Sequence, residues 1–180
     1  YQILGLPNET LDSMIQTLAF NARLPVLLGA SPFYQTPNSP IARSLDLIET
    51  NFVKARLTAL AIETDHFSRD DIYTLFVTTR ILNFLKGLAI PSAMTLASII
   101  DQSSIEQRAG VGLLLLKQLL STGRLYGWTK HGLVENRKFV TTIFLQVLSK
   151  AEVIACQNGQ QIEMSETTHR HSSDLALGEI

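Results

Sequence analysis

Ile41, Leu45, Ile48, Phe52, Ala55, Ala59 and Ile62 follow one another in alternating steps of four and three residues without a break. Only a helix gathers side chains so spaced onto one face. Ser39 and Pro40, just ahead of the run, supply a capping hydroxyl and a first-turn proline. The pattern predicts a helix of about six turns whose stripe is buried in a bundle or against a neighbour.

The rest of the chain is read outward from that stripe. On its N-terminal side, Leu11, Ile15, Leu18 and Ala22 share a face with Asp12 in the first turn, which predicts a short amphipathic helix over 10–22. Between them, "LPVLLGASPFYQTPNSP" holds four of the six prolines and excludes a continuous helix. That stretch reads as a linker, with Val26 to Leu28 extended. On the C-terminal side, Ser68 opens a second helix, with Asp70 and Asp71 in its first turn, Ile72, Leu75, Phe76, Thr79, Leu82 and Leu85 at helical spacing, and a stop at Gly87. Pro91 and Ser92 open another, with Leu96, Ile99 and Ile100 as its apolar side. Ile105 to Leu120 includes "VGLLLLKQLL", apolar on nearly every side, which predicts a central helix. "RLYGWTKHGLVENRKF" is basic and rich in glycine and reads as a loop able to carry short strands. A last helix is expected over Val134 to Cys156, and the polar stretch from Gln157 onward as a loose tail.

The expectation is an all-α fold: a proline-rich lead-in with a short helix over 1–38, a single helical bundle over 39–156, and a flexible polar tail over 157–180. No apolar run reaches the roughly 18 residues that a membrane-spanning helix needs, and Tyr1 to Leu6 lack the form of a signal peptide. The single cysteine, Cys156, excludes an intramolecular disulfide. A cytoplasmic setting is expected.

Catalytic constellations are hard to assemble from these residues. Asp70 and Asp71 are an adjacent carboxylate pair, but their place just after Ser68 points to helix-start electrostatics. His169 and His171 are too few to make a metal site. Cys156 lacks a histidine in a recognisable partner motif. Gly110 and Gly112 resemble part of a dinucleotide loop without its strand or third glycine, and read as sites of close helix packing. No enzymatic activity, cofactor or metal is expected.

Charge is distributed unevenly although the chain nets only −1. Residues 1–80 carry −2, residues 81–156 carry +4 and residues 157–180 carry −3. Arg108, Lys117, Arg124, Lys130, Arg137 and Lys138 face a lone Glu135 in their span, with Tyr126, Trp128 and His131 interleaved. Such cations neutralise phosphates while planar side chains lie against bases or sugars. Arg108, Lys117, Arg124, Lys130, His131, Arg137 and Lys138 are therefore the candidate nucleic-acid-binding residues. The bland alternative is a solvated loop with Trp128 anchored in the core.

The helical succession from Ser39 to Cys156, its basic later half and the lead-in "ARLPVLLGASPFYQTPNSPIARSLDLI" resemble the small subunits of CRISPR Cascade complexes and the related helical C-terminal region of the type I-D large subunit. The resemblance implies a non-enzymatic bundle, present in several copies along a guide-RNA complex with other protein subunits. It would help to hold target DNA open and contact the displaced strand. A net charge of −1 departs from a strongly basic binder, though screening limits the reach of distant acidic groups.

Two other readings compete. In a helix-turn-helix or winged-helix regulator, Ser92 to Ile100 and Ile105 to Leu120 would form the helical pair and Arg124 to His131 the wing. Leucines then occupy the second helix where base-reading Arg, Asn or Gln are wanted. In the third reading the chain is a structural bundle that binds only protein.

Overall fold

The computed structural model describes residues 1–34, 40, 63–107 and 109–164. The predicted helix from Ile41 to Ile62, Arg108, and the tail beyond 164 with His169 and His171 lie outside the described residues.

The fold is mixed α/β, not all-α: five helices and seven short strands occur among the described residues. It opens with β1 (Gln2–Leu4), α1 (Leu11–Ala22) and β2 (Ala30–Pro32), in which the helix carries the chain across so that the strands pair in parallel, Gln2 with Ala30 and Leu4 with Pro32. Thr10 caps α1 in a reciprocal box with Ser13, and Met14, Ile15, Leu18, Ala19 and Ala22 form its buried stripe. Within the proline-rich stretch the extended segment is Ala30–Pro32, four residues beyond the expected one.

Next comes α2 (Arg69–Lys86), which begins at Ser68 as predicted: the hydroxyl accepts from Asp71 N–H while the Asp71 carboxylate accepts from Ser68 N–H at 2.7 Å. It ends at Gly87, whose N–H donates to the carbonyls of Asn83 and Phe84. β3 (Met94–Thr95) and α3 (Leu96–Asp101) follow, the helix starting at the Thr95 cap and so later than Pro91–Ser92 suggests. α4 (Gly110–Thr122) begins five residues after the expected Ile105 and ends where Gly123 adopts a left-handed φ of 69°. β4 (Tyr126–Thr129) and β5 (Gly132–Glu135) form an antiparallel hairpin, α5 (Thr141–Ala151) packs against α1, and β6 (Val153–Ala155) and β7 (Gln161–Glu163) close the described chain.

Three expectations are corrected here. The last helix occupies only Thr141–Ala151, because Glu152 turns the chain with a φ of 60°, rarely adopted outside glycine, and sends Val153–Ala155 into a sheet. The polar segment from Gln157 is not wholly loose. It makes the turn between β6 and β7, and β7 lies at the centre of a three-stranded sheet ordered β3–β7–β6, with Ile162 and Met164 buried. The leucine-rich helix is not central: Leu113, Leu116 and Leu119 are buried, whereas Val111 and Leu114 are exposed.

The core lies between α1, α2 and α5 and extends beneath β6 and β7. Gly112 has the helix-packing role its sequence suggests, since a Cβ there would stand 2.6 Å from the Phe84 ring of α2, whereas Gly110 lies against the Ser104–Ile105 backbone of the loop before its own helix.

Candidate nucleic-acid interface

The β4–β5 hairpin is short, so its shape depends on its turn and on its base. At the turn, Thr129 pairs with Gly132 across Lys130 and His131, and Gly132 takes a φ of 99° that side chains disfavour. The Thr129 hydroxyl donates to the Gly132 carbonyl at 3.0 Å and accepts from His131 N–H at 3.2 Å. At the base, Asn136 N–H donates to the Leu125 carbonyl, and Leu125 packs on the core. The Asn136 amide donates to the Tyr73 hydroxyl of α2 at 2.6 Å, and the Thr141 hydroxyl donates to the Gly123 carbonyl at 2.6 Å. The hairpin is thus pinned at both ends while its middle stands in solvent.

Of the seven predicted binding residues, six are described. Arg124 and Arg137 converge on Glu135, at 3.9 and 4.0 Å. Lys117, on the outer side of α4, pairs with Asp101 at the end of α3 at 3.3 Å. These are exposed pairs of at most about 1 kcal/mol each, readily exchanged for a phosphate. Lys130 and His131 occupy the hairpin tip, and Lys138 is exposed just beyond its base. Among the described residues, neither Lys130 nor Lys138 has a carboxylate within ion-pair distance. The structure therefore gathers Arg124, Lys130, His131, Arg137 and Lys138 around one hairpin and sets Lys117 apart on α4.

Trp128 is not an anchor. It is 71% exposed, as are about half of Leu133 and of Val134. The register places Trp128 directly opposite Leu133, and Tyr126 shares their face two residues away. The tryptophan is visible in the sequence, whereas the apolar platform it forms with Leu133 and Tyr126 is not. Alternation in "YGWT" and "GLVE" was its only signal.

The outer face of α4 carries Val111, Leu114, Lys117, Gln118, Ser121 and Thr122. Between α3 and α4 the connection runs over 102–109, longer than the three or four residues of a compact helix-turn-helix. An open groove of about 700 Å³, lined by Phe84, Leu88, Met94, Ile99 and Leu113 among others, lies beside that connection.

The remaining chemically interesting groups have structural partners. Asp71 serves the α2 cap, so the Asp70–Asp71 pair is drawn into helix initiation. Cys156 is buried, its thiol donating to the Leu85 carbonyl at 3.7 Å, and burial pushes its pKa up. Lys86, which the sequence did not single out, is enclosed beside it: its ammonium donates to the carbonyls of Ala22 (2.7 Å), Leu24 (2.5 Å) and Ala155 (3.1 Å). Among the described residues, no three His, Cys, Asp or Glu side chains are placed to share a metal ion, and no helix is long and apolar enough to cross a membrane. Comparisons with protein-family models, curated proteins and solved structures gave no match.

Proposed function

We propose that this chain is a non-catalytic nucleic-acid-binding subunit that grips the sugar–phosphate backbone with the β4–β5 hairpin, used as a wing beside the α3–α4 helix pair. The observation that carries this reading is the succession helix, helix, hairpin, with Lys130 and His131 at the hairpin tip and Arg124, Arg137 and Lys138 flanking its base. A wing so charged attracts phosphates whatever the sequence, because backbone contacts carry affinity and base-edge contacts carry specificity. The outer face of α4 supports the same division: Val111 and Leu114 have no hydrogen bonds to offer a base edge, and only Lys117 and Gln118 resemble base readers.

The resemblance to Cascade small subunits belongs to this proposal as a setting: a backbone-gripping subunit repeated along a ribonucleoprotein, with guide RNA and target or displaced DNA as its nucleic acids. It rests on a helical succession that β3 to β7 interrupt, so the wing carries the argument.

The test is a salt series with single-stranded and duplex DNA. Steeply salt-dependent, sequence-tolerant binding is expected. Reversing Lys130, Arg137 and Lys138 to Glu is expected to weaken it at least tenfold and to flatten the salt slope by up to about three, with the circular dichroism spectrum unchanged. An unaltered affinity in the folded variant removes the hairpin from the interface. Sequence-selective duplex binding would instead assign recognition to α4.

A further inference from the structure

We infer that the Trp128–Leu133 face of the hairpin stacks on an unpaired base, so that the protein selects strand ends and single-strand junctions over continuous duplex. This rests on the nucleic-acid reading above and adds to it the form of nucleic acid preferred.

A 71% exposed Trp128, facing a half-exposed Leu133 across two short strands, keeps a large apolar surface in water on an otherwise cationic hairpin. Neither side chain supports the core, whose nearest member in the hairpin is Leu125 at its base. The turn bonds of Thr129 and the base bonds of Asn136 hold the backbone on both sides of Trp128, so the hairpin strand itself meets a ligand at little cost in ordering.

Charge chooses the occupant. Lys130 and His131 follow Trp128 by two and three residues, and Arg124, Arg137 and Lys138 flank the base of the same hairpin, against Glu135 alone. An apolar face with cations at the tip and base of its hairpin, and with Glu135 at its edge held by Arg124 and Arg137, fits a base joined to its phosphates better than an apolar protein surface, which would leave those cations to be desolvated. Pairing state follows from geometry. In continuous duplex both faces of each base are covered by neighbours, whereas at an end, a gap or a single-stranded overhang one face is free. Gly127 and Val134 form the other side of the hairpin, and a Cβ at Gly127 would meet nothing within 4 Å, so that side leaves room for a strand to pass.

Because Trp128 is the single tryptophan of the chain, its emission reports the contact directly. The experiment compares a covalently closed, relaxed duplex circle, which has neither ends nor unpaired bases, with a linear duplex of the same sequence carrying a single-stranded overhang, for wild type, Trp128→Phe and Trp128→Ala. The wild type is expected to prefer the overhang by about tenfold, the contribution of one stacked base, and its emission to be quenched on saturation. Trp128→Phe is expected to keep most of the preference and Trp128→Ala to reduce it below about threefold. Equal, salt-sensitive binding of both DNAs by the wild type overturns the stacking and leaves backbone binding standing. An undiminished preference in Trp128→Ala overturns it too. So does a dimer that Trp128→Ala dissociates without altering the preference, which would make the face a contact between copies. Absence of binding to either DNA at low salt overturns this inference and the proposed function together.

Discussion

Lys86 shows how a single residue can be placed by the sequence and yet be given its role by distant parts of the chain. It follows Leu82 by one helical turn and Thr79 by two, so helical spacing puts it on the buried stripe of α2, although lysine is among the residues least often enclosed. All three of its N–H groups are used: the carbonyls of Ala22 and Leu24 come from the end of α1, and that of Ala155 from β6. Leu24 O also accepts from Val26 N–H, so the other two carbonyls depend on Lys86 more heavily. Lys86→Met is expected to lower unfolding free energy by about 1–3 kcal/mol, the cost of a buried acceptor left without a donor; an unchanged urea midpoint would show that other donors take over.

Burial also lowers the pKa of Lys86 from 10.5 to about 8, with Cys156 acting in the opposite direction. The unfolded chain holds that proton up to about 10.5, so between these values it binds more protons than the folded state and stability rises with pH. Cys156 has the reverse effect: its folded thiol keeps a proton that the unfolded chain loses near the ordinary 9.0, so stability falls above that pH. Between pH 8 and 9 the Lys86 contribution is the larger of the two, because the unfolded thiol has only begun to ionise. There the urea midpoint of the wild type is expected to climb relative to that of Lys86→Met, and parallel midpoints would refute a depressed pKa.

Elements were legible where their ends are written in local chemistry. Thr10 with Ser13 and Ser68 with Asp71 begin α1 and α2 at the positions the sequence indicates, and Gly87 and Gly123 end α2 and α4. Ser68→Ala is expected to cost about 0.5–2 kcal/mol, through loss of the hydroxyl that accepts from Asp71 N–H, measured as a lowered urea midpoint. α3 begins at the Thr95 cap although Pro91 and Ser92 point to an earlier start, and other elements depart from their pattern where no cap is present. Neither α4 nor α5 has a side-chain cap, and each begins several residues later than its apolar periodicity suggests. The hairpin turn is Lys130–His131 followed by Gly132, without the Asn-Gly or Asp-Gly signal that announces a tight turn, so its strands were read only as compatible with a loop. Val153–Ala155 continues the apolar character of α5, and nothing in three residues distinguishes a buried strand from a helix end.

For the whole molecule, the short sheets are what the sequence concealed. β7 pairs in parallel with β3 and antiparallel with β6, joining segments about 70 residues apart. It comes from "QNGQQIE", whose polar composition argues for a tail; its burial depends on two apolar residues, Ile162 and Met164. The turn before it is tied back as well, Gln157 N–H donating to the Lys86 carbonyl and the Asn158 amide to that of Ile90. Ile162→Asp is expected to destabilise the protein by more than about 3 kcal/mol, since it leaves an unpaired carboxylate in the core. Loss of only a few tenths in a denaturant titration would mean that β7 is peripheral to folding.

The sequence by itself determined the starts of α1 and α2, the helix-packing role of Gly112, and the concentration of cations between Arg108 and Lys138, because caps, steric fit and charge are properties of residues and their near neighbours. Tertiary structure decided that the chain is α/β, that the leucine-rich helix has a solvent face, and that Trp128 stands in water with Leu133 opposite it. These depend on which strands find partners far along the chain, and a three-residue strand acquires its hydrogen bonds and its burial only when that partner is in place.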